Sequence, residues 1–311
     1  MTTSVKRISS KLGVIIFSPH AALICAVLFW SGNFIVGRAL KREIPPIHLN
    51  FWRWMIALLV LLPLHYEQLY QFRTVIAKEW KIITALGLTG IAAFHICVYI
   101  SLKSTTPINA LIILSTSPMV IVFGAWAFLK EHIEVSQIIG ILISLLGAVI
   151  LISHGRPFEL LNFEFNKGDI WMLLAVPLWA AYSILLKRRP PGLPQIALLT
   201  SSVLAGVLLM VPIYFCSLSM GQQLSLNYVN VLSVLYISFF ASVLAFRFWN
   251  RGVASIGPVK AGMYLHLMPF FGAFLSFWFL GEGLTRFHII GGVFVFAGIA
   301  FTNPAGPRRC V

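Results

Sequence analysis

The sequence predicts an all-α membrane protein of ten transmembrane helices, arranged as two inverted five-helix repeats around a central cavity. Three observations predict it: the composition, the spacing of the apolar runs, and an internal repeat. Of the residues 59% are hydrophobic and only 10% are charged, with a mean hydropathy of +0.90. A soluble domain is about half apolar and about a quarter charged. A soluble core does not absorb such an excess, because surface-to-volume scaling leaves apolar side chains facing water. Lipid is the solvent that fits, and 311 residues at roughly 20 per span give room for about ten short-looped helices.

In chain order the spans are read at 20–38, 47–64, 81–101, 107–129, 135–153, 169–187, 194–216, 229–249, 258–280 and 286–303, each near the length that crosses the hydrocarbon. Before the first span, Lys6, Arg7 and Lys11 resemble the start of a signal peptide. Pro19-His20 interrupts that run, which then continues through Trp30 without a small-residue cleavage site, so the span is read as uncleaved. The link at 154–168, with Pro157 and mixed charge, is the natural midpoint. This divides the chain into a leading segment 1–19, a first unit 20–153, a linker 154–168, a second unit 169–303 and a tail 304–311.

The net charge of +14 does not point to nucleic acid, because the basic residues stand singly or in small groups at the ends of apolar runs. They act as topology signals. With the N-terminus inside, the inner segments carry Lys6, Arg7, Lys11, Arg73, Lys78, Lys81, Lys130, Lys187, Arg188, Arg189, Arg247, Arg251, Arg308 and Arg309. The outer ones carry Arg38, Lys41, Arg42, Lys103, Arg156, Lys167 and Arg286. A twofold excess favours both termini in the cytoplasm; the cluster at Arg38, Lys41 and Arg42 is the dissent, and the plasma (inner) membrane is the expected location. Cys25, Cys97, Cys216 and Cys310 have no metal or redox spacing, and no cofactor is expected.

The halves repeat. At an offset of 151, Pro107, Pro118, Phe128-Leu129, Glu131, Ile138-Ile139-Gly140 and Gly147 meet Pro258, Pro269, Phe279-Leu280, Glu282, Ile289-Ile290-Gly291 and Gly298. At an offset of 149, Ala26-Val27 and Trp30 meet Ala175-Val176 and Trp179. An ordered series of this kind marks a duplication. With five spans per unit, an odd number, the second copy enters from the opposite side and the repeat is inverted.

Several segments also resemble a known family. Phe29-Trp30-Ser31-Gly32-Asn33-Phe34, Phe51-Trp52-Arg53-Trp54, Ser104-Thr105-Thr106-Pro107-Ile108-Asn109-Ala110, Ser117-Pro118 and Phe128-Leu129-Lys130-Glu131 are followed by a second set. That set is Gly257-Pro258-Val259-Lys260-Ala261-Gly262, Met268-Pro269 and Phe279-Leu280-Gly281-Glu282. Over 20–303 the chain resembles the ten-span EamA branch of the drug/metabolite transporter superfamily. The resemblance implies ten helices around a cavity at the repeat interface and both termini cytoplasmic. It leaves the solute open, since the family includes exporters of amino acids and other metabolites. Lys130 departs from the family pattern, which has glycine before this glutamate.

Polar groups inside hydrocarbon are expensive and so mark cavities or partners. Pro118 and Pro269 interrupt equivalent spans, and paired interruptions point to a binding region; a plain kink is the alternative. Ser115, Thr116 and Ser117 are read chiefly as partners for backbone groups that Pro118 frees. Trp30, Asn33, Phe34 and Gly37 share a helical face, suited to a ligand or to a neighbouring helix. His95 with Tyr99, and Lys260 with Tyr264, are four apart and share faces. Tyr182 lies beside Trp179. Trp30, Asn33, His95, Tyr99, Pro118, Tyr182, Lys260, Tyr264 and Pro269 form the candidate substrate set. Lys260 either meets a substrate carboxylate or snorkels, and Arg53 is read as structural, an interface anchor or a tie between helices. His266 is read as satisfied packing. Gly140, Gly147, Gly291 and Gly298, seven apart in pairs, mark seams of close helix approach, within one chain or between two protomers, so a homodimer is among the partners allowed.

All nine acidic residues (Glu43, Glu67, Glu79, Glu131, Glu134, Glu159, Glu164, Asp169 and Glu282) lie at span ends or in links, which leaves the interior mildly cationic. Coupling through His95 or His266, or none, follows. No zinc-protease helix, intramembrane aspartate pair or nucleophile elbow is present, so no enzyme is expected. The sequence thus predicts a transporter, exporting amino acids or similar small polar metabolites by alternating access, with a small-molecule substrate and the lipid bilayer as partners. Nucleotide-derived or drug-like solutes are the alternative, and a membrane enzyme or a non-transporting scaffold stands behind both.

Overall fold

The computed structural model describes residues 18–40, 43–162, 165–222, 227–280, 283 and 285–302. Lys6, Arg7, Lys11, Lys41, Arg42, Glu164, Gly281-Glu282, Arg308, Arg309 and Cys310 lie outside the described residues. Every regular element among those described is helical.

The first helix, α1 (Pro19–Leu40), opens with proline at its first position, where the missing N–H is not needed, and Ser18 Oγ accepts from Ala21 N at 3.1 Å. A similar proline start opens α2 (Pro46–Gln71), which runs past the predicted end at 64 and through Pro63 to a kink at His65. The predicted cytoplasmic link is therefore helical, and it continues as the short α3 (Arg73–Lys78) with no buried residue. The reason is local: 66–81 contains no glycine or proline to break the helix, and Leu69, Phe72, Val75 and Ile76, at helical spacing, are partly buried against the core.

The stretch Trp80–Ser104 (α4) passes through a π-helical segment, Gly87–Ala93. After it, α5 comprises Pro107–Leu114, Ser117–Gly124 and the π turn Ala125–Leu129. Thr106 Oγ1 caps its start through Asn109 N. Lys130, with φ 57, ends the π turn. That left-handed conformation is one glycine adopts without steric penalty, so a lysine is strained where a glycine would not be.

Glu134 and Gln137 form a capping box at the start of α6 (Val135–Ile152), and Asn166 with Asp169 does the same for α7 (Lys167–Lys187). There follow α8 (Gln195–Ser219) and α9, which runs as Tyr228–Tyr236, the π segment Ile237–Leu244 and Ala245–Gly262. A 3-10 turn, Met263–His266, leads to α10 (Leu267–Leu280), and α11 (Arg286–Thr302) closes the series.

Among the described residues, eight helices meet the length and hydropathy of a membrane crossing, and the shorter apolar Arg286–Thr302 adds to them. The expected count was ten. The difference lies in Tyr228–Leu275, a single apolar stretch of 48 residues. As one straight helix it would extend about 72 Å, more than twice the hydrocarbon thickness of about 30 Å. Gly257 breaks it with φ 82 and ψ 163, a combination essentially confined to glycine.

The packing has a regular pattern. α1 packs on α9 and α10, as α7 packs on α4 and α5. α2 packs on α8, and α6 on α11; α2 also meets the π segment of α9, as α8 meets that of α4. Exchanging α1, α2, α4, α5 and α6 for α7, α8, α9, α10 and α11 leaves this set of pairs unchanged. The two π segments themselves lie at matching positions under the 151 offset, within one residue.

The glycine seam is α6 against α11. A Cβ at Gly147 would meet the Gly291 carbonyl at 2.6 Å, and one at Gly140 or Gly298 would meet the other's carbonyl oxygen. Gly140 faces Gly298 while Gly147 faces Gly291, so the helices run antiparallel. Because this seam closes within one chain, it leaves these glycines no surface for contact between protomers.

Candidate functional site

At the crossing of the two halves lies an aromatic cluster. Trp30 meets Trp179 edge to face at 5.0 Å, and both touch Phe246 (5.7 Å each) and Trp249 (5.4 and 5.3 Å). Phe94 lies 4.9 Å from Trp179; Trp54 bridges Phe246 (4.8 Å) and His95 (5.7 Å). Such ring pairs are worth about 0.5–1.5 kcal/mol each beyond burial. All these rings are buried. The expected central cavity is thus filled by ring packing at this level.

The π segments supply the cluster's polar contacts. An i→i+5 turn is wider than an α turn and leaves carbonyls available to side chains. Trp30 Nε1 donates to Ala241 O at 3.0 Å, and Arg53 Nη2 donates to the same oxygen at 3.3 Å. In the other half, Asn50 Nδ2 donates to Ile91 O and Ala92 O at 3.3 and 3.1 Å.

Two hydrogen bonds repeat with their chemistry exchanged. The Tyr99 hydroxyl donates to Asn33 Oδ1 at 3.1 Å, and the Tyr182 hydroxyl donates to Asn250 Oδ1 at 2.8 Å. The 149 offset equates Asn33 with Tyr182, and the 151 offset equates Tyr99 with Asn250. The same link between the first and third long helices of each half therefore occurs twice, with donor and acceptor swapped. Tyr182→Phe alone leaves Asn250 Oδ1 unpaired and is expected to destabilise by about 1–3 kcal/mol, whereas the double variant Tyr182→Phe, Asn250→Leu recovers most of that loss. Thermal unfolding of the four proteins in one detergent measures the coupling.

Three residues touch their own repeat equivalents. Besides Trp30 with Trp179, His95 lies 5.8 Å from Phe246, and His266 Nε2 donates to Ser115 O at 2.9 Å. His266 Nδ1 also bonds Ser144 Oγ at 2.6 Å, so this ring ties α5, α6 and the 3-10 turn together. Ser115 and Thr116 hydroxyls donate to the carbonyls of Ile112 and Ile113, both at 2.6 Å. They serve backbone groups one turn back, though not the Leu114 carbonyl that Pro118 would otherwise bond. Ser117 Oγ is buried without a partner.

Of the sequence candidates, the fold brings together Trp30, Asn33, His95, Tyr99 and Tyr182. Lys260 and Tyr264 lie apart: Tyr264 bonds His20 Nδ1 at the start of α1, and Lys260 is half-buried three residues beyond the Gly257 break. Pro118 packs beside Gly262 where α5 crosses α9, and Pro269 is half-buried one turn past the 3-10 segment. Arg53 belongs with the first group. It is fully buried rather than an interface anchor, and it ties α2 to α4 and α9 through Tyr99 and Ser242. Sequence reading missed Phe94, Phe246, Trp249 and Asn250 as members of the cluster. The 151 offset was the available signal for two of them, mapping His95 to Phe246 and Tyr99 to Asn250.

At the N-terminal end of α7, Asp169 is buried and accepts from Thr105 Oγ1, Asn109 Nδ2 and Asn166 N. An anion at a helix N-terminus is favoured by the helix dipole, so this carboxylate is satisfied where it stands. At the opposite end of α7, Lys187 pairs with Glu131 at 3.5 Å and Arg188 donates to Phe128 O, which holds the ends of α7 and α5 together.

Comparison with known proteins agrees with this architecture. Residues 17–153 and 166–303 each match the EamA-like transporter family. An uncharacterised transporter of Archaeoglobus fulgidus is 26% identical over 91% of this chain and 96% of its own length. A protein of Salmonella typhimurium named "Probable amino-acid metabolite efflux pump" is 24% identical over 91% of this chain and 93% of its own. A crystal structure 19% identical in sequence superposes with a TM-score of 0.72, covering 92% of this chain and 97% of that one, which supports the fold alone.

Proposed function

This chain belongs to the EamA-like transporter family and is a multi-pass membrane transporter; from that premise we propose that it exports amino acids or similar small polar metabolites by alternating access. The two matched halves act as inverted five-crossing units, with Tyr228–Leu275 counted as two crossings divided at Gly257 and both termini in the cytoplasm. The carrying observation is that Trp30 with Trp179, His95 with Phe246 and Ser115 with His266 touch across the halves. Residues equated by a repeat touch each other only near the axis relating the copies. Antiparallel packing of α6 on α11, which the repeat also equates, supports an axis in the membrane plane.

On this reading Trp30, Asn33, His95, Tyr99 and Tyr182 form the central substrate region. Tyr264 and Lys260 line the inner route, and Pro118 and Pro269 are the bends about which it opens. The name of the Salmonella relative supports amino-acid metabolites as the solute class. A nucleotide would need several buried cations for its phosphates, and the cluster contains one, Arg53.

The test is counterflow in proteoliposomes loaded with a mixed metabolite pool and read by mass spectrometry. Single cysteines at His132 and at Gly283, its equivalent under the 151 offset, labelled with an impermeant reagent, test the inversion. Expected are selective, saturable loss of a few polar metabolites and labelling of the two cysteines from opposite faces. Labelling from one face would remove the inverted arrangement, and no saturable flux would remove the transport reading.

A further inference from the structure

Arg53 is the one charged group in the aromatic cluster, and the faces of Trp54 and Tyr99, 5.1 and 5.9 Å from its guanidinium carbon, offset its charge only in part. It is 0% exposed. Its partners are neutral: Nε donates to Ser242 Oγ at 2.8 Å, Nη1 to the Tyr99 hydroxyl at 2.7 Å and Nη2 to Ala241 O at 3.3 Å. Among the described residues no carboxylate lies within 4 Å of it, and the acidic side chains stand at helix ends or in links. A guanidinium carries five N–H groups, so three bonds leave two without partners. A buried charge lacking a counter-ion is strongly unfavourable, and charges kept inside membrane proteins mark solute pathways.

The neighbouring groups are biased the same way. Trp54, whose ring lies 5.1 Å from the guanidinium carbon, has its Nε1 buried without a partner, as do Trp179 and Trp249. Against these three indole donors, the unpaired groups able to accept nearby are Asn50 Oδ1 on α2 and His95 Nδ1 in the cluster itself. The centre is rich in donors, holds one net positive charge and is walled by rings.

We infer that Arg53 is the anchor for a carboxylate group on the transported solute, which carries an apolar or aromatic body against the tryptophans. The inference rests on the transporter reading above and deepens it by naming the chemical group recognised. A planar guanidinium matches a carboxylate through two parallel N–H···O bonds. In this structure, Tyr99, Ser242 and Ala241 O hold the guanidinium. Two of these three acceptors, Ser242 and Ala241 O, lie in the π segment of α9 and the third on α4, so parting of those helices from α2 exchanges neutral acceptors for the anion. Arg53 thereby becomes a specificity-determining residue and not only a tie between helices. In the second half the equivalent position is Ser202, so the anchor exists once per molecule.

The test uses four probes with the full-length protein: L-phenylalanine, phenylpyruvate, phenylalanine amide and phenethylamine. Binding is measured by ligand-induced thermal stabilisation and by competition in counterflow. Expected is at least tenfold tighter binding of the two carboxylates than of the amide and amine, with Arg53→Gln reducing that ratio towards one and Arg53→Lys retaining part of it. A purely structural arginine would weaken all four probes by the same factor, and that outcome overturns the inference. So does equal binding of the amide or amine by the unaltered protein, or binding of neither carboxylate. If Arg53→Gln does not fold, the unaltered protein and Arg53→Lys decide by the same ratios. Flux of solutes without any carboxylate preference would leave the transporter reading standing and remove this one.

Discussion

Gly298→Leu is expected to destabilise the protein by at least about 3 kcal/mol, beyond the usual range for overpacking a tight site. A Cβ at this position meets the Gly140 carbonyl, Ser144 N at 2.6 Å and Ser144 Cβ at 2.7 Å. Two of those atoms are backbone, so no rotamer change makes room and the α6–α11 seam must open along its length. A leucine adds four carbons where even one does not fit. Gly272→Ala is the control: nothing lies within 4 Å of an added Cβ there, and alanine in a helix is better than glycine by up to about 1 kcal/mol. The two substitutions should therefore differ in sign when thermal unfolding is followed by size-exclusion chromatography. Equal effects would mean that the seam does not control stability.

Trp30→Ala is the second large effect. It removes the ring at the centre of the cluster, in contact with Trp179, Phe246 and Trp249, together with one bond to Ala241 O. Truncation of a buried tryptophan typically destabilises by about 3–5 kcal/mol. Trp30→Phe keeps most of the ring packing and loses only the N–H, while Ala241 O still accepts from Arg53. Its expected loss of stability is about 1 kcal/mol. Flux in proteoliposomes should vanish for alanine and persist for phenylalanine. A phenylalanine variant that folds normally but carries nothing would place the indole N–H itself in contact with the solute.

Much of this architecture was legible in the chain because membrane crossings declare themselves by length and hydropathy, and because the duplication left paired prolines and glycines in register. Gly140, Gly147, Gly291 and Gly298 could be recognised as a seam; that the seam closes within one molecule could not, since spacing alone does not say which helix is opposite. The extension of α2 beyond Leu64 was missed because span length and hydropathy do not register an amphipathic helix; its stripe of Leu69, Phe72, Val75 and Ile76, which packs against the core, was the signal available. In the centre, Trp30, Asn33, His95 and Tyr99 stood out as polar or amphipathic groups inside apolar runs. Phe246 and Trp249 did not, because an aromatic residue in a hydrophobic span is the commonest thing there. Arg53 was visible but ambiguous. Its role depends on burial and on what lies across the helix boundary, which one sequence cannot express.

Fusion of the two halves into a single polypeptide has a chemical consequence at position 53. Were the assembly made from two identical subunits, any off-axis arginine in its middle would occur twice, and a pair of like charges in a water-free interior would oppose assembly. A covalent tandem lifts that restriction: one half can carry the cation while serine occupies the corresponding place in the other. A lone, off-centre positive charge, and with it a preferred direction for an asymmetric guest, is available only to a molecule whose two copies are free to diverge.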